Sequence, residues 1–256
     1  MSVILLSREF PNDPQRSEAE QRIAAALAGG GRGVLSVPHL YHVAENDALW
    51  DRLCSLDRPM VVLSWLQPRA MQWVLARHGI ELEGVTCINL AEDTSVDELT
   101  GRIAMLAPDA VAQDTVGEAT QQRWYPVVDK SRCTDCGHCS EFCLFGVYEI
   151  RDGQVHIVQP DRCKPGCPAC SRICSQSAIM FPLYGRDPAI AGAPGQLVQV
   201  DDAARKMYQQ RTGMALDLLP TPSKPLAPLP TPAKPQFTDL DDLVADLESF
   251  GKGRRA

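Results

Sequence analysis

No apolar run in this 256-residue chain approaches the roughly twenty residues that cross a bilayer. The opening stretch, Met1-Ser2-Val3-Ile4-Leu5-Leu6-Ser7-Arg8-Glu9, has too short an apolar run and the wrong flanks for a secretory signal. No membrane partner is therefore expected, and the expected location is the cytoplasm. A basic surplus is missing too. Lys and Arg number 25 against 32 Asp and Glu, a formal charge of −7, and the cations are scattered. Nucleic acid, which needs a concentrated basic face, is not an expected partner. There is no P-loop and no flavin or nicotinamide fingerprint. Gly29-Gly30-Gly31-Arg32-Gly33 ends a helical pattern and precedes a strand, the reverse of the order that cradles a dinucleotide.

Cysteine, in contrast, is abundant and concentrated. Eight of the ten cysteines fall between residues 133 and 174, as Cys133-x2-Cys136-x2-Cys139-x3-Cys143 and Cys163-x3-Cys167-x2-Cys170-x3-Cys174. With no signal sequence, such runs read as metal ligands in a reducing compartment rather than as disulfides. Three thiolates spaced by two residues come from one tight loop and leave one corner of an iron–sulfur cube open for a distant cysteine. Each run supplies a fourth cysteine, which in two-cluster modules serves the other cube. Cys133, Cys136, Cys139 and Cys174 are thus expected to hold one [4Fe-4S] cluster, and Cys163, Cys167, Cys170 and Cys143 a second. Zinc also takes cysteine quartets, typically as two separated C-x2-4-C pairs, so two runs of four favour cubes. Cys54 and Cys87 lie in apolar patterns and read as buried free thiols.

This crossed pattern, with Val128-Asp129 before the first run and Gln176-Ser177-Ala178-Ile179 after the last, resembles the bacterial-type two-[4Fe-4S] ferredoxin family over residues 124–184. The resemblance implies a pseudo-twofold pair of hairpins and helices and one-electron transport, by a free carrier or by a domain of a larger oxidoreductase. The chain departs from the family in three places. Leu144 and Ser175 stand where proline is usual after the crossing cysteines, and Lys164-Pro165-Gly166 makes the first gap of the second run one residue longer. His138, between Cys136 and Cys139, reads as an exposed loop residue, with a hydrogen bond to sulfur as the alternative.

Residues 1–106 alternate short apolar runs with helical patterns four times. Strands are expected at Val3–Leu6, Gly33–Val37, Met60–Trp65 and Val85–Leu90, and helices at Gln15–Leu27, Glu45–Leu56, Arg69–Arg77 and Val96–Leu106. Parallel neighbours need crossover helices, so the expectation is a small three-layer α/β domain with a mostly parallel sheet. Ligands of such sheets bind beyond the strands' carboxyl ends. There the chain offers Pro38-His39-Leu40-Tyr41-His42, Trp65-Leu66-Gln67-Pro68-Arg69 and Asn89, the makings of a polar and aromatic pocket in which His39 and His42 are candidate proton or metal groups.

The remaining organisation is a connector at 107–123, the α+β cysteine module at 124–184, a loop and packing helix at 185–216, a proline-rich linker at 217–236 and a tail helix at 237–256. Seven prolines between Pro220 and Pro235 favour an extended rod of about 50 Å. In the tail, Leu240, Leu243, Val244 and Leu247 share one helical face opposite Asp241, Asp242, Asp246 and Glu248. Its layout is similar to the terminal targeting peptides that load cargo into bacterial protein compartments. Its expected role is docking on a partner protein or compartment shell, with a frayed solvated tail as the alternative.

Within 124–184 six basic residues balance six acidic ones, which suits a tethered relay between redox protein partners better than a carrier steered by charge. The principal expectation is an iron–sulfur electron-transfer protein. Two rivals stay open: a reductive enzyme whose amino-terminal pocket is fed by the clusters, and a scaffold whose clusters are structural.

Overall fold

A computed structural model describes residues 1–10, 13–56, 59–91, 95–111, 115–117, 121–200 and 202–214. The proline-rich linker at 217–236 and the tail helix with Leu240, Leu243, Val244 and Leu247 lie outside the described residues.

The amino-terminal elements run β1 (Val3–Ser7), α1 (Pro14–Gly29), β2 (Leu35–Val37), α2 (Ala48–Cys54), β3 (Met60–Ser64), α3 (Pro68–Arg77), β4 (Val85–Asn89) and α4 (Val96–Leu106). The four strands form one parallel sheet in the order β2-β1-β3-β4. The two central strands are the ones buried along their whole length, as sheets covered on both faces require. Alternation divides them cleanly. Ile4, Leu6, Val61 and Leu63 pack against Ile23 and Leu27 of α1 and Leu99 and Ile103 of α4. Val3, Leu5, Met60 and Val62 face Leu49, Trp50 and Leu53 of α2 and Met71, Val74 and Leu75 of α3. The α/β expectation for residues 1–106 is met by a four-stranded parallel sheet with helices on both faces.

Local signals set the helix starts. The Asp13 carboxylate accepts the amides of Gln15 and Arg16, Asp47 accepts that of Leu49, and the Ser95 hydroxyl accepts that of Glu98. Pro14 and Pro68 occupy first-turn positions where no amide is missed. One expectation fails on α2. Burying Leu49, Trp50 and Leu53 turns the next position outward, so Cys54 is exposed, while Cys87 on β4 is buried and its thiol is pushed up to about 12 by that burial.

The second part contains β5 (Val127–Val128), α5 (His138–Phe142), β6 (Tyr148–Arg151), β7 (Gln154–Ile157), α6 (Ala169–Arg172), β8 (Ile179–Met180), α7 (Pro188–Ala191) and α8 (Asp202–Thr212). β6 and β7 form a hairpin that turns at Asp152-Gly153, both with positive φ, as a two-residue turn demands. β5 pairs antiparallel with β8, so the beginning and end of the cysteine segment lie side by side. α8 returns to this part, burying Ala204 and Tyr208 against Phe142 and Ile173.

The two parts share a core. Tyr125, Val127 and Met180 join the apolar face under α2 and α3. The Tyr41 hydroxyl donates to the Tyr125 carbonyl and accepts the Tyr125 amide, while the two rings stack at 4.2 Å. The polypeptide just after α7 fits tightly there. Gly192 has φ +96, and a Cβ on it would lie 2.8 Å from Met180 Sδ and 3.1 Å from Ala70 Cβ. Gly192→Ala combines a disfavoured backbone angle with overpacking and is expected to cost about 2 kcal/mol or more. Urea unfolding is the check. A change within about 0.5 kcal/mol, the range of an ordinary surface substitution, would mean the contact yields freely.

Candidate functional site

The first cysteine loop is held from Asp129, the residue after β5. Its carbonyl accepts the amides of Arg132 and Cys133, and its carboxylate takes the Ser131 amide at 3.0 Å and Arg69 Nε of α3 at 2.7 Å. The chain then turns through Asp135 (φ +53) and Gly137 (φ +80), on either side of Cys136. Asp135 Oδ1 is fixed by the Val155 amide at 2.9 Å and by Lys130 Nζ at 3.3 Å. At Gly137 a Cβ would meet Ile150 Cδ1 at 2.9 Å, so both the turn and the hairpin beneath it call for glycine. α5 carries Cys139, and the Cys143 amide closes on the Cys139 carbonyl.

The second loop repeats this plan with one more residue. The extra position falls in the turn Lys164-Pro165-Gly166-Cys167, closed by the Cys167 amide on the Lys164 carbonyl at 3.1 Å. Pro165 precedes Gly166 (φ +78), the sequence that a type II turn prefers, so the longer gap is absorbed locally. α6 carries Cys170 as α5 carries Cys139. Gly146 and Ser177, each three residues after a crossing cysteine, both adopt positive φ.

This arrangement brings Cys143 of the first run to Cys163, Cys167 and Cys170 of the second: those four side chains line one small cavity of about 30 Å³, with Arg211 of α8 also on its wall. The electrostatics separate the thiols in the same way. Burial, and then Cys174, Cys136 and Cys133, push the Cys139 thiol upward. Burial, and then Cys167 and Cys143, push Cys163 up to about 12. Cys170 is raised by burial against a hydrogen bond from the Tyr148 hydroxyl, 3.1 Å from its sulfur, and feels both Cys163 and Cys139. The two groups of thiols are therefore neighbours.

Among the described residues no three His, Cys, Asp or Glu side chains converge as they would on one ion. A cube carries each thiolate on its own iron and so spreads its four ligands around itself. Eight soft thiols in two groups, six half-buried, Cys170 buried and Cys136 exposed, are a donor set that fits iron–sulfur cubes. His138, expected in solvent, is instead half-buried at the start of α5, with Nδ1 3.0 Å from Cys136 Sγ and its ring edge-on to Tyr208.

The pocket foreseen at the sheet's carboxyl end does not assemble. His39 lines an open cleft of about 630 Å³ with Arg8, Glu20 and Ser36, but the other candidates are engaged elsewhere. His42 Nδ1 accepts the Arg123 amide at 3.0 Å, Trp65 Nε1 donates to Glu20, and Asn89 caps the amide of Ala91. Arg69 reaches Asp129 and the Ser177 carbonyl, and Tyr41 binds Tyr125. His42, Arg69 and Tyr41 thereby fasten the sheet to the cysteine part, while Trp65 and Asn89 bond within the amino-terminal part. Sequence reading also passed over Arg123, which is 7% exposed and bonded to the Val43 carbonyl, Glu45 and Asp161. Arg123, Tyr125, Val127 and Asp129 are all buried in this seam, as is Pro126, while Trp124 and Val128 are half-buried.

No protein-family model matches the chain, and no solved structure matches it. An uncharacterized ferredoxin of Methanocaldococcus jannaschii is 43% identical over 60 residues, 23% of this chain. The match covers 41% of that relative's length. The chain therefore contains a region similar to a ferredoxin.

Burial sets the charge of the paired histidines. Their rings lie 4.6 Å apart and are nearly inaccessible. Burial, and then the neighbouring His42, lower His39 to about 3; burial, and then Arg123, lower His42 to about 4. Both folded values lie below the unfolded value of 6.5, so protonation favours the unfolded chain. Stability present above pH 6.5 is lost as pH falls toward 4, by about 1.4 kcal/mol per pH unit for each ring. In the double variant His39→Asn/His42→Asn, the side-chain amide oxygen introduced at position 42 can still accept the Arg123 amide, and the slope falls to that of the remaining groups, among them His78, which burial also lowers to about 4. Urea unfolding of both proteins between pH 7 and 5 tests this, and equal slopes would show that the rings do not titrate with unfolding.

Proposed function

We propose that the chain is an iron–sulfur electron-transfer protein carrying two [4Fe-4S] clusters. Cys133, Cys136, Cys139 and Cys174 hold one, and Cys163, Cys167, Cys170 and Cys143 hold the other. The observation that carries this reading is the cavity bounded by the second quartet, which takes three cysteines from one run and the crossing cysteine from the other. The ferredoxin named among the relatives supports the same chemistry.

A [4Fe-4S] cluster takes up and gives back one electron. The residues around the thiols hold their positions and exclude water. Val147, Tyr148, Ile179 and Phe181 form an apolar core against Cys139, Cys143, Cys163 and Cys174. Trp124 Nε1 donates to the Cys167 carbonyl while its ring stacks on Phe181, so the second loop is fastened to the seam. The proximity of Cys139 and Cys170 suits passage of a single electron between the two groups. The proposed partners are redox proteins.

Anaerobic reconstitution of the full chain is expected to yield about eight irons and no stoichiometric zinc, with absorbance that bleaches and recovers on reversible reduction. Cys163→Ala is expected to lose cluster signal from one site and keep the other. Four irons in the parent protein, with Cys163→Ala harmless, would reduce the second site to a remnant; clusters that never reduce reversibly would favour a structural role.

A further inference from the structure

The two thiol groups differ in the charges around them, and one of those charges comes from a helix outside the 124–184 module. Ala204, Tyr208 and Arg211 recur on one face of α8. Ala204 and Tyr208 are buried against Phe142 and Ile173, and the Tyr208 hydroxyl donates to Glu141 at 2.7 Å. That anchorage lays Arg211 over the ring of Phe142, its guanidinium carbon 4.2 Å from the ring centroid. Phe142 immediately precedes Cys143. The guanidinium thereby reaches the wall of the cavity that Cys143, Cys163, Cys167 and Cys170 enclose. Burial works against its charge, and Cys167 and Cys143 favour it.

The environments are unequal in detail. Around the second quartet, Arg211 stands on the wall of the cavity that Cys143 and Cys167 line, and the Tyr148 hydroxyl donates to Cys170. Around the first, Asp135 Oδ1 lies 3.6 Å from Cys133 Sγ with Lys130 Nζ 3.3 Å from the same oxygen, while His138 Nδ1 lies 3.0 Å from Cys136 Sγ and the Ala178 amide donates to Cys174 Sγ at 3.4 Å. Adding an electron adds negative charge, which a nearby cation and hydrogen bonds to sulfur favour and a nearby carboxylate opposes.

Resting on the two-cluster reading, we infer that α8 is an electrostatic element that makes the two sites unequal, with Arg211 raising the reduction potential at the second quartet. A chain holding one electron keeps it there. Arg211 touches no substrate; it is a positioning residue that acts through the field it imposes on Cys143 and Cys167.

The test is a mediated potentiometric titration of the full-length, reconstituted protein followed by electron paramagnetic resonance, with iron measured on the same samples. The parent is expected to show two one-electron waves. In Arg211→Gln the higher wave falls so that, at the parent's midpoint, the oxidised-to-reduced ratio rises about tenfold, or 59 mV for one electron; the lower wave stays in place. Arg211→Lys, which keeps the charge, is expected to restore most of the shift. With eight irons in all three proteins, an unmoved higher wave overturns the inference, as does a shift in Arg211→Lys equal to that in Arg211→Gln, which would show loss of packing rather than of charge. A parent protein that binds no more than four irons overturns the two-cluster reading and this inference with it.

Discussion

The union of the two parts of the described structure hangs on one extended segment, residues 123–129, that serves two cores at once. Its odd-numbered side chains turn toward the parallel sheet. Arg123 binds the Val43 carbonyl and Glu45, Tyr125 stacks on Tyr41, Val127 enters the apolar face under α2 and α3, and Asp129 meets Arg69. Trp124 and Val128 turn the other way, into the core around the cysteines. A strand is the only regular conformation that serves two faces in alternation. A slip of one residue would bury Trp124 where Arg123 sits and bring the charges into the cysteine core. The seam therefore fixes the register of the first cysteine loop, which begins at the Asp129 carbonyl.

The charged ends of that seam resist substitution for an unequal reason. Arg69 and Asp129 are 11% and 4% exposed in their side chains, so neither partner has water to fall back on. A buried pair of this kind adds little net stability over an apolar replacement, but removing one member leaves the other uncompensated, at a cost of about 3–5 kcal/mol. Geometry, more than energy, explains its placement. The same guanidinium that neutralises Asp129 also binds the Ser177 carbonyl at 2.6 Å, so one side chain of α3 ties the start of the first cysteine loop to the end of the second. The amino-terminal sheet thus acts on the cysteine part as a brace that spans both of its ends.

Much of this was legible in residue order, and the reason is periodicity. The eight elements of residues 1–106 follow from apolar runs broken by Pro, Gly, Asp and Ser, and α4 runs from Val96 to Leu106 as its sequence pattern indicates. The Asp152-Gly153 turn carries its own backbone signature. What stayed illegible depends on tertiary neighbours. Cys54 looks apolar in its local pattern, yet the three residues that α2 buries leave it outside. Tyr41, His42 and Arg69 stand at strand ends where ligands often bind, but the second part of the chain uses them as fasteners, and only His39 is left on a cleft. Arg123 sits in a polar stretch that reads as a connector, since nothing local reveals that Glu45 and Asp161 close around it.

The charge balance of the cysteine module shows the same limit from another side. Six cations against six anions within 124–184 suggest a surface without a preferred face. Folding breaks that neutrality by bringing in charges from outside the segment. Arg69 and Arg77 approach from α3, and Arg211 from α8, each at a different place. Arg69 is matched by a buried carboxylate, and Arg77 by Glu45, so each acts as a fastener. Arg211 rests on an aromatic ring beside the thiols, and an aromatic face holds a cation in place without cancelling its full charge. A guanidinium so placed projects its field into a poorly solvated cavity, where screening is weakest. Among the described residues, the segments appended to the cysteine module thus fall into two physical classes: Arg69 and Arg77 anchor it through ion pairs, and Arg211 places a charge on an aromatic ring beside the thiols.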